Sequence, residues 1–251
     1  MFKEYLLILL AGHVLGDFYF QSNKMAQRKK RNIKWVMLHC LCYLAVMIFV
    51  CIPVFSWHIL IGAVCAGGFH FLIDFVKFIY VSIKYKKSEI TAAAERNIYF
   101  ADQLIHGIGL LGVAYWLSAS NILINEWGLF KNLFDVMGIP ETVLLSWIAA
   151  LLLIHKPSNI TIQKLLMIYK PDNKEPNKKN DKNAGRFIGT VERIIMLIFL
   201  SIGQYSAIGL VLTAKSIARF DRISKEEDFA EYYLLGTLIS TVIVIVCSFI
   251  I

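Results

Sequence analysis

Between Trp57 and Ile83 the chain reads WHILIGAVCAGGFHFLIDFVKFIYVSI, a block in which Asp74 and Lys77 are the only charged side chains. A helix needs about 20 apolar residues to cross the hydrocarbon core of a bilayer. This block predicts a membrane-spanning helix that carries an Asp and a Lys within it. Six further blocks read in the same way: Tyr5–Phe20, Ile33–Pro53, Ile98–Leu117, Thr142–Ile154 (short), Phe187–Thr213 and Tyr232–Ile251. The expected fold is all-α, a polytopic integral membrane helical bundle with about seven transmembrane helices. Asn121–Met137 is moderately apolar with charges inside it, as expected of an interfacial or re-entrant piece.

Composition agrees with this reading. The 251 residues are 57% hydrophobic and 18% charged, with a mean hydropathy of +0.60, whereas soluble domains run at about 25% charged. The net charge of +8 does not point to nucleic acid, because the basic residues sit between apolar blocks in a topogenic pattern. Eighteen of the 26 Lys and Arg fall in Gln21–Lys34, Lys84–Arg96 and His155–Arg186. The rule that cytoplasmic loops are basic puts those loops inside, the N-terminus outside and, after seven spans, the C-terminus inside. Their charge also favours anionic membrane lipids. Lys215–Glu231 strains the scheme, since parity makes it external although it holds Lys215, Arg219, Arg222 and Lys225. The polar run Lys170–Gly185 reads as a loop. It divides the chain into a five-span part (1–169), a loop (170–185) and a two-span part (186–251). Cys40, Cys42, Cys51, Cys65 and Cys247 lie in or beside apolar blocks without metal-binding spacing, as small core fillers do.

The ionisable residues inside the spans are few and patterned. His13/Asp17, His70/Asp74 and Asp102/His106 are i, i+4 pairs, each on one helix face, and His39 lies in the second block. Counted from the basic loops at 1.5 Å per residue, most fall within roughly 15 Å of one interface and His70 at roughly 20 Å. An ionised carboxylate in hydrocarbon costs at least about 2.5 kcal/mol, so three carboxylates and four imidazoles at one depth need compensation. A divalent cation such as Zn, Fe or Mn supplies it, because carboxylates and neutral imidazoles are its ligands. Seven candidates imply two ions, or one ion with some groups orienting the histidines. A lone intramembrane His is commonly a packing residue and a His–Asp pair can be structural; a proton relay is the main metal-free alternative. Gln21, Lys77 and Gln103 share these faces. Lys77 either holds a substrate anion or snorkels to the interface. Glu192, Arg193, Lys215 and Arg219 are expected to pair with one another or to anchor at the interface, and His58 and His155 to face water or headgroups. Gly67–Gly68 predicts a close helix approach beside His70.

The block His13-Val-Leu-Gly-Asp-Phe-Tyr-Phe-Gln21, the later His39, His70-Phe-Leu-Ile-Asp74-Phe-Val-Lys77 and Asp102-Gln103-Leu-Ile-His106 resemble the bacterial membrane family known as domain of unknown function 3307. The resemblance covers roughly residues 4–118. Gly185–Arg219 and Glu231–Ser240 resemble the C-terminal extension of longer members. The His/Asp pattern is more loosely similar to the membrane-bound metal-dependent hydrolases, a resemblance that implies metal chemistry.

The leading expectation is a metal-dependent hydrolase acting on a lipid or amphipathic substrate at the cytoplasmic leaflet. His13, His39, His70 and His106 would ligate the ion with some of Asp17, Asp74 and Asp102, and a remaining Asp would act as general base. Lys77 or Arg193 would read an anionic part of the substrate. The alternatives are a divalent-cation or proton-coupled transporter using the same cluster, and a scaffold in which the cluster is purely structural.

Overall fold

In the computed structural model, residues 1–54, 56–86, 88–120, 128–170 and 182–251 are described. Helices α1 (Phe2–Val14), α2 (Asn23–Arg28), α3 (Ile33–Cys51), α4 (Trp57–Lys84), α5 (Ala92–Ala119), α6 (Gly128–Met137), α7 (Glu141–Leu166), α8 (Lys182–Ser201), α9 (Tyr205–Ile217), α10 (Phe220–Lys225) and α11 (Glu227–Ser248) follow in order, with no strand among the described residues. Ile33–Val54, Trp57–Lys84, Glu141–Leu166 and Glu227–Ser248 are long and apolar enough to cross a membrane. The other expected N-terminal spans are also helical: Tyr5–Phe20 lies in α1 and a π turn that extends it, and Ile98–Leu117 lies in α5. α6 occupies the end of the expected interfacial piece. Most of Lys170–Gly185 lies outside the described residues.

The starts of the helices that meet at the basic loops and the first turn are fixed by local chemistry. Ser22, Asn32, Ser56 and Thr91 each accept a backbone N–H from the first turn of α2, α3, α4 and α5, satisfying donors the helix cannot use.

Two compact units divide the chain, Met1–Ala149 and Ala150–Ile251. In the first, α3 packs on α4, α4 on α5, α5 on α1 and α1 on α3, closing a four-helix ring. Its core has two layers. Tyr5, Ile8, Leu9, Met47, Cys51, Ile59, Ala63, Ala66, Val113, Ala114 and Leu117 form an apolar layer. One turn closer to the basic loops, every helix of the ring turns a polar residue inward. The outward faces are apolar instead: Phe69, Leu72, Val76 and Ile79 on α4 and Leu104, Ile105, Ile108 and Leu111 on α5 are exposed, while His70, Asp74, Asp102 and His106 are buried. Apolar outside and ionisable inside is the arrangement a lipid solvent demands. α1 reaches α3 closely because Gly12 and Gly16 lie against Met47 and Tyr43, where an added Cβ would stand 2.6 Å from Met47 Sδ and 2.7 Å from Tyr43 Cδ2. Of the expected Gly67–Gly68 pair, Gly67 packs on Leu44 and Gly68 faces open space.

The second unit corrects one expectation. Phe187–Thr213 is not a single helix: α8 ends at Ser201 and α9 starts at Tyr205. Gly203 between them has φ +72°, a left-handed conformation that glycine adopts at little cost. The chain reverses there, since Lys215 Nζ donates to Glu192 Oε2 at 2.6 Å. In one continuous helix those residues would be about 34 Å apart. A hydropathy window cannot see such a turn, because apolar residues flank it on both sides.

Candidate functional site

Asp17 enters the polar layer through a local irregularity. α1 gives way at Leu15 to a π turn over Leu15–Tyr19, closed by Phe20 N–H donating to Leu15 O at 2.8 Å. Such turns are rare and concentrate at functional sites, where they re-aim a side chain. His39 comes from the second turn of α3, His70 and Asp74 from successive turns of α4, and Asp102 and His106 from successive turns of α5. All seven expected side chains, His13 included, are buried and come together at the loop end of the ring.

Three of them gather around His39 Nε2. His39 Nε2 lies 3.2 Å from Asp17 Oδ1, 3.4 Å from Asp74 Oδ2 and 3.1 Å from His70 Nε2. His70 Nε2 lies 3.8 Å from Asp74 Oδ2. Two neutral imidazoles whose Nε2 atoms face each other share one proton between those atoms. At least one ring therefore turns a bare lone pair into the cluster and carries its proton on Nδ1.

A second grouping, Asp74, Asp102 and His106, has ligand atoms all within 4.8 Å of one another. His106 Nδ1 lies 2.8 Å from the Asp102 carbonyl oxygen and donates to it, which leaves Nε2 as a lone pair. That Nε2 is buried and has no hydrogen-bond partner among the described residues. Fixing one ring nitrogen on a carbonyl so that the other is free is how proteins prepare a histidine ligand. His13 borders these groups instead of joining them: its Nδ1 pairs with Tyr43 OH at 3.1 Å, and its ring lies 5.2 Å from that of His106.

Two lysines enter among the carboxylates. Lys77 Nζ donates to Asp74 Oδ1 and, at 2.7 Å, to Asp102 Oδ1. Lys29, at the end of α2, donates to Asp74 Oδ2 at 2.9 Å and stands 3.9 Å from Asp17 Oδ1. Three carboxylates and two ammoniums thus share the cluster with the imidazoles. Gln103 Nε2 donates to Asp17 Oδ2 at 3.1 Å, and Gln21 Nε2 to the Asp17 carbonyl at 3.0 Å.

The family model described as "Protein of unknown function (DUF3307)" matches residues 5–130, half of the chain and all of the ring. The chain belongs to this family. No curated protein and no solved structure matches it. The looser likeness to membrane-bound metal-dependent hydrolases thus rests on the His/Asp pattern alone.

Sequence reasoning missed three participants in this DUF3307 site. Lys29 reads as one more topogenic charge in a basic loop, and nothing in its neighbours marks it out. Tyr43 lies within an apolar block that the His and Asp pattern passes over, yet it stacks on His70 at 3.6 Å and pairs with His13; its i, i+4 relation to His39 was the available signal. Cys40, read as filler, has its sulfur within 4.8 Å of ligand atoms of His70 and Asp74. Elsewhere, Glu192 pairs with Lys215, as self-pairing predicts. Arg193 is buried and bonded to Ile154 O, Asn159 Oδ1, Thr190 Oγ1 and Ser240 Oγ. His58 and His155 are exposed.

Proposed function

We propose that the ring holds a divalent metal ion (Zn, Fe or Mn) and that the protein is a membrane-embedded metal-dependent hydrolase acting on a lipid or amphipathic anionic substrate at the cytoplasmic leaflet. One observation carries the reading. Four ligands held 2.0–2.1 Å from a tetrahedral ion stand about 3.3–3.4 Å from one another. Four of the six separations among Asp17 Oδ1, His39 Nε2, His70 Nε2 and Asp74 Oδ2 are 3.1, 3.2, 3.4 and 3.8 Å, and the ligand atoms of Asp17, His39 and His70 all lie within 4.8 Å of one another. The buried Nε2 of His106, without a hydrogen-bond partner among the described residues, supports the same reading, and in a two-ion version Asp74, Asp102 and His106 would hold the second ion.

A divalent ion there supplies a Lewis acid that activates water near neutral pH. With one ion bound, Asp102 lies outside the four-atom set and takes the general-base role, oriented by Lys77 on Oδ1 and by Gln103, 3.4 Å from Oδ2. Lys77 neutralises Asp74 and Asp102 and presents a cation to an anionic substrate. The apolar layer beneath the site favours a pocket open to one side over a route through the membrane, and hence hydrolysis over transport. In this reading the basic loops are cytoplasmic and the N-terminus is outside. The α8–α9 reversal brings Lys215–Glu231 back to the basic side, which removes the strain of parity and moves the C-terminus outside.

The test is elemental analysis of detergent-purified protein. The expected result is one or two transition-metal equivalents, lost in a His39→Ala, His70→Ala double variant. Active protein that is stoichiometrically free of metal would overturn the hydrolase reading and put proton-coupled transport first.

A further inference from the structure

The two lysines of the site are held in different ways. Lys77 sits three residues beyond Asp74 on the same long helix, and its partners are the Oδ1 atoms of Asp74 and Asp102. Neither oxygen belongs to the four-atom set. Lys29 sits on a connection: α2 spans six residues and packs on α3, held by buried Met25, by the Ser22 cap and by Arg28 over the Trp35 ring at 4.9 Å. The oxygens its ammonium approaches, Asp74 Oδ2 at 2.9 Å and Asp17 Oδ1 at 3.9 Å, are the two carboxylate oxygens of the four-atom set.

An ammonium and a divalent ion cannot both keep those oxygens. They would stand a few ångströms apart among buried carboxylates, where like charges repel more strongly than in water. The ion has four ligands to hold it. The ammonium has two oxygens and a flexible four-carbon stem that is already 12% exposed, so it is the partner that yields.

We propose that Lys29 is a built-in stand-in for the metal ion. Its ammonium holds Asp17 and Asp74 together in the ion-free protein and withdraws when a divalent ion takes their oxygens. It then offers a cation at the mouth of the site to a phosphate-type anion. Metal loading and assembly of the anion subsite are one event, so an anionic substrate is gripped only when the ion is in place. This inference rests on the metal reading above and adds the substrate's charged group and the order of binding.

The experiment uses the full-length protein in detergent with Co²⁺ as the probe, because tetrahedral Co²⁺ absorbs visibly and reports its own surroundings. Lys29→Met keeps most of the apolar stem and removes the charge. It is expected to bind Co²⁺ at least about tenfold tighter than the unmodified chain, a conservative reading of the repulsion removed. Inorganic phosphate should shift the Co²⁺ spectrum of the unmodified chain and leave that of Lys29→Met unchanged. In the unmodified chain, Co²⁺ should also speed acylation of Lys29 by an amine-reactive ester, read by mass spectrometry, with no such effect in the His39→Ala, His70→Ala variant. Equal or weaker Co²⁺ binding by Lys29→Met, or acylation of Lys29 slowed by Co²⁺, would overturn the Lys29 role and leave the metal reading standing. Failure of both chains to take up Co²⁺ would overturn both.

Discussion

Each unit of the molecule buries charge in an apolar surround, and they handle it in opposite ways. In the second unit, the hydrogen bonds of Arg193 run to neutral acceptors, one of them a helix carbonyl and the others side-chain oxygens. Pro157 interrupts α7 and leaves the carbonyl of Leu153 without its helical donor. Ser158 Oγ donates to that carbonyl at 2.7 Å, and Arg193 Nε donates to the next, Ile154 O, at 2.6 Å. Asn159 and Thr190 complete the fork. In the first unit, the cluster carries both signs of charge and buried ring nitrogens without hydrogen-bond partners among the described residues. A network whose valences are consumed by the fold stabilises. One that keeps valences in reserve is what the proposed metal site requires.

That contrast predicts different responses to substitution. The largest effect belongs to Arg193→Ala, which leaves Ile154 O and Asn159 Oδ1 buried without this donor. At about 1–3 kcal/mol per unsatisfied group, the loss is on the order of 3 kcal/mol, read as a fall in the melting temperature in detergent. Chelator should not change the size of that fall. Arg193→Lys should recover little, since a single ammonium cannot reproduce the planar fork. A melting temperature unchanged in Arg193→Ala would show that the network is not what holds α7 and α8 together.

Asp74→Ala should behave in the reverse manner. It removes an oxygen of the four-atom set and strips both lysines of a partner, so metal content falls to background. The stability lost should roughly match what chelator removes from the unmodified chain, because an ion that binds only the folded state stabilises it by mass action. Metal content should also fall as the pH is lowered, since protons compete for the imidazole lone pairs. A stability loss with metal content intact would make Asp74 a structural residue like Arg193.

How much of this was legible depends on whether a feature has a period. The i, i+4 pairs and their common depth brought His13, Asp17, His70, Asp74, Asp102 and His106 to one layer from sequence alone, and His39 joined by depth. Lys29 has no period, because it reaches the site from a loop whose charges also serve topology. The π turn at Asp17 and the reversal at Gly203 are backbone events that apolar flanks conceal. Tyr43 hid because an aromatic residue in an apolar span is ordinary, and only its contacts with His13 and His70 set it apart.

The smallest effects separate the packing of the site from its chemistry, and two glycines supply the comparison. At Gly16 a Cβ would lie 2.7 Å from Tyr43 Cδ2 and 3.4 Å from Tyr43 Cα. The ring cannot swing away freely, because its other face is stacked on His70. Gly16→Ala should cost about 1–3 kcal/mol, as overpacking does. It should also weaken metal uptake, since the displaced Tyr43 no longer orients His13 and His70. At Gly68, two residues before His70, a Cβ would meet nothing within 4 Å. Gly68→Ala there should raise stability by about 0.5–1 kcal/mol, the helix-interior difference between the two residues, and leave metal uptake unchanged. Equal loss of metal in the two variants would mean that α1 and α4 respond to any added bulk, and the Tyr43 contact would lose its place as the link between packing and site. Loss in Gly16→Ala alone would trace the geometry of the metal ligands to a single close approach of α1 and α3.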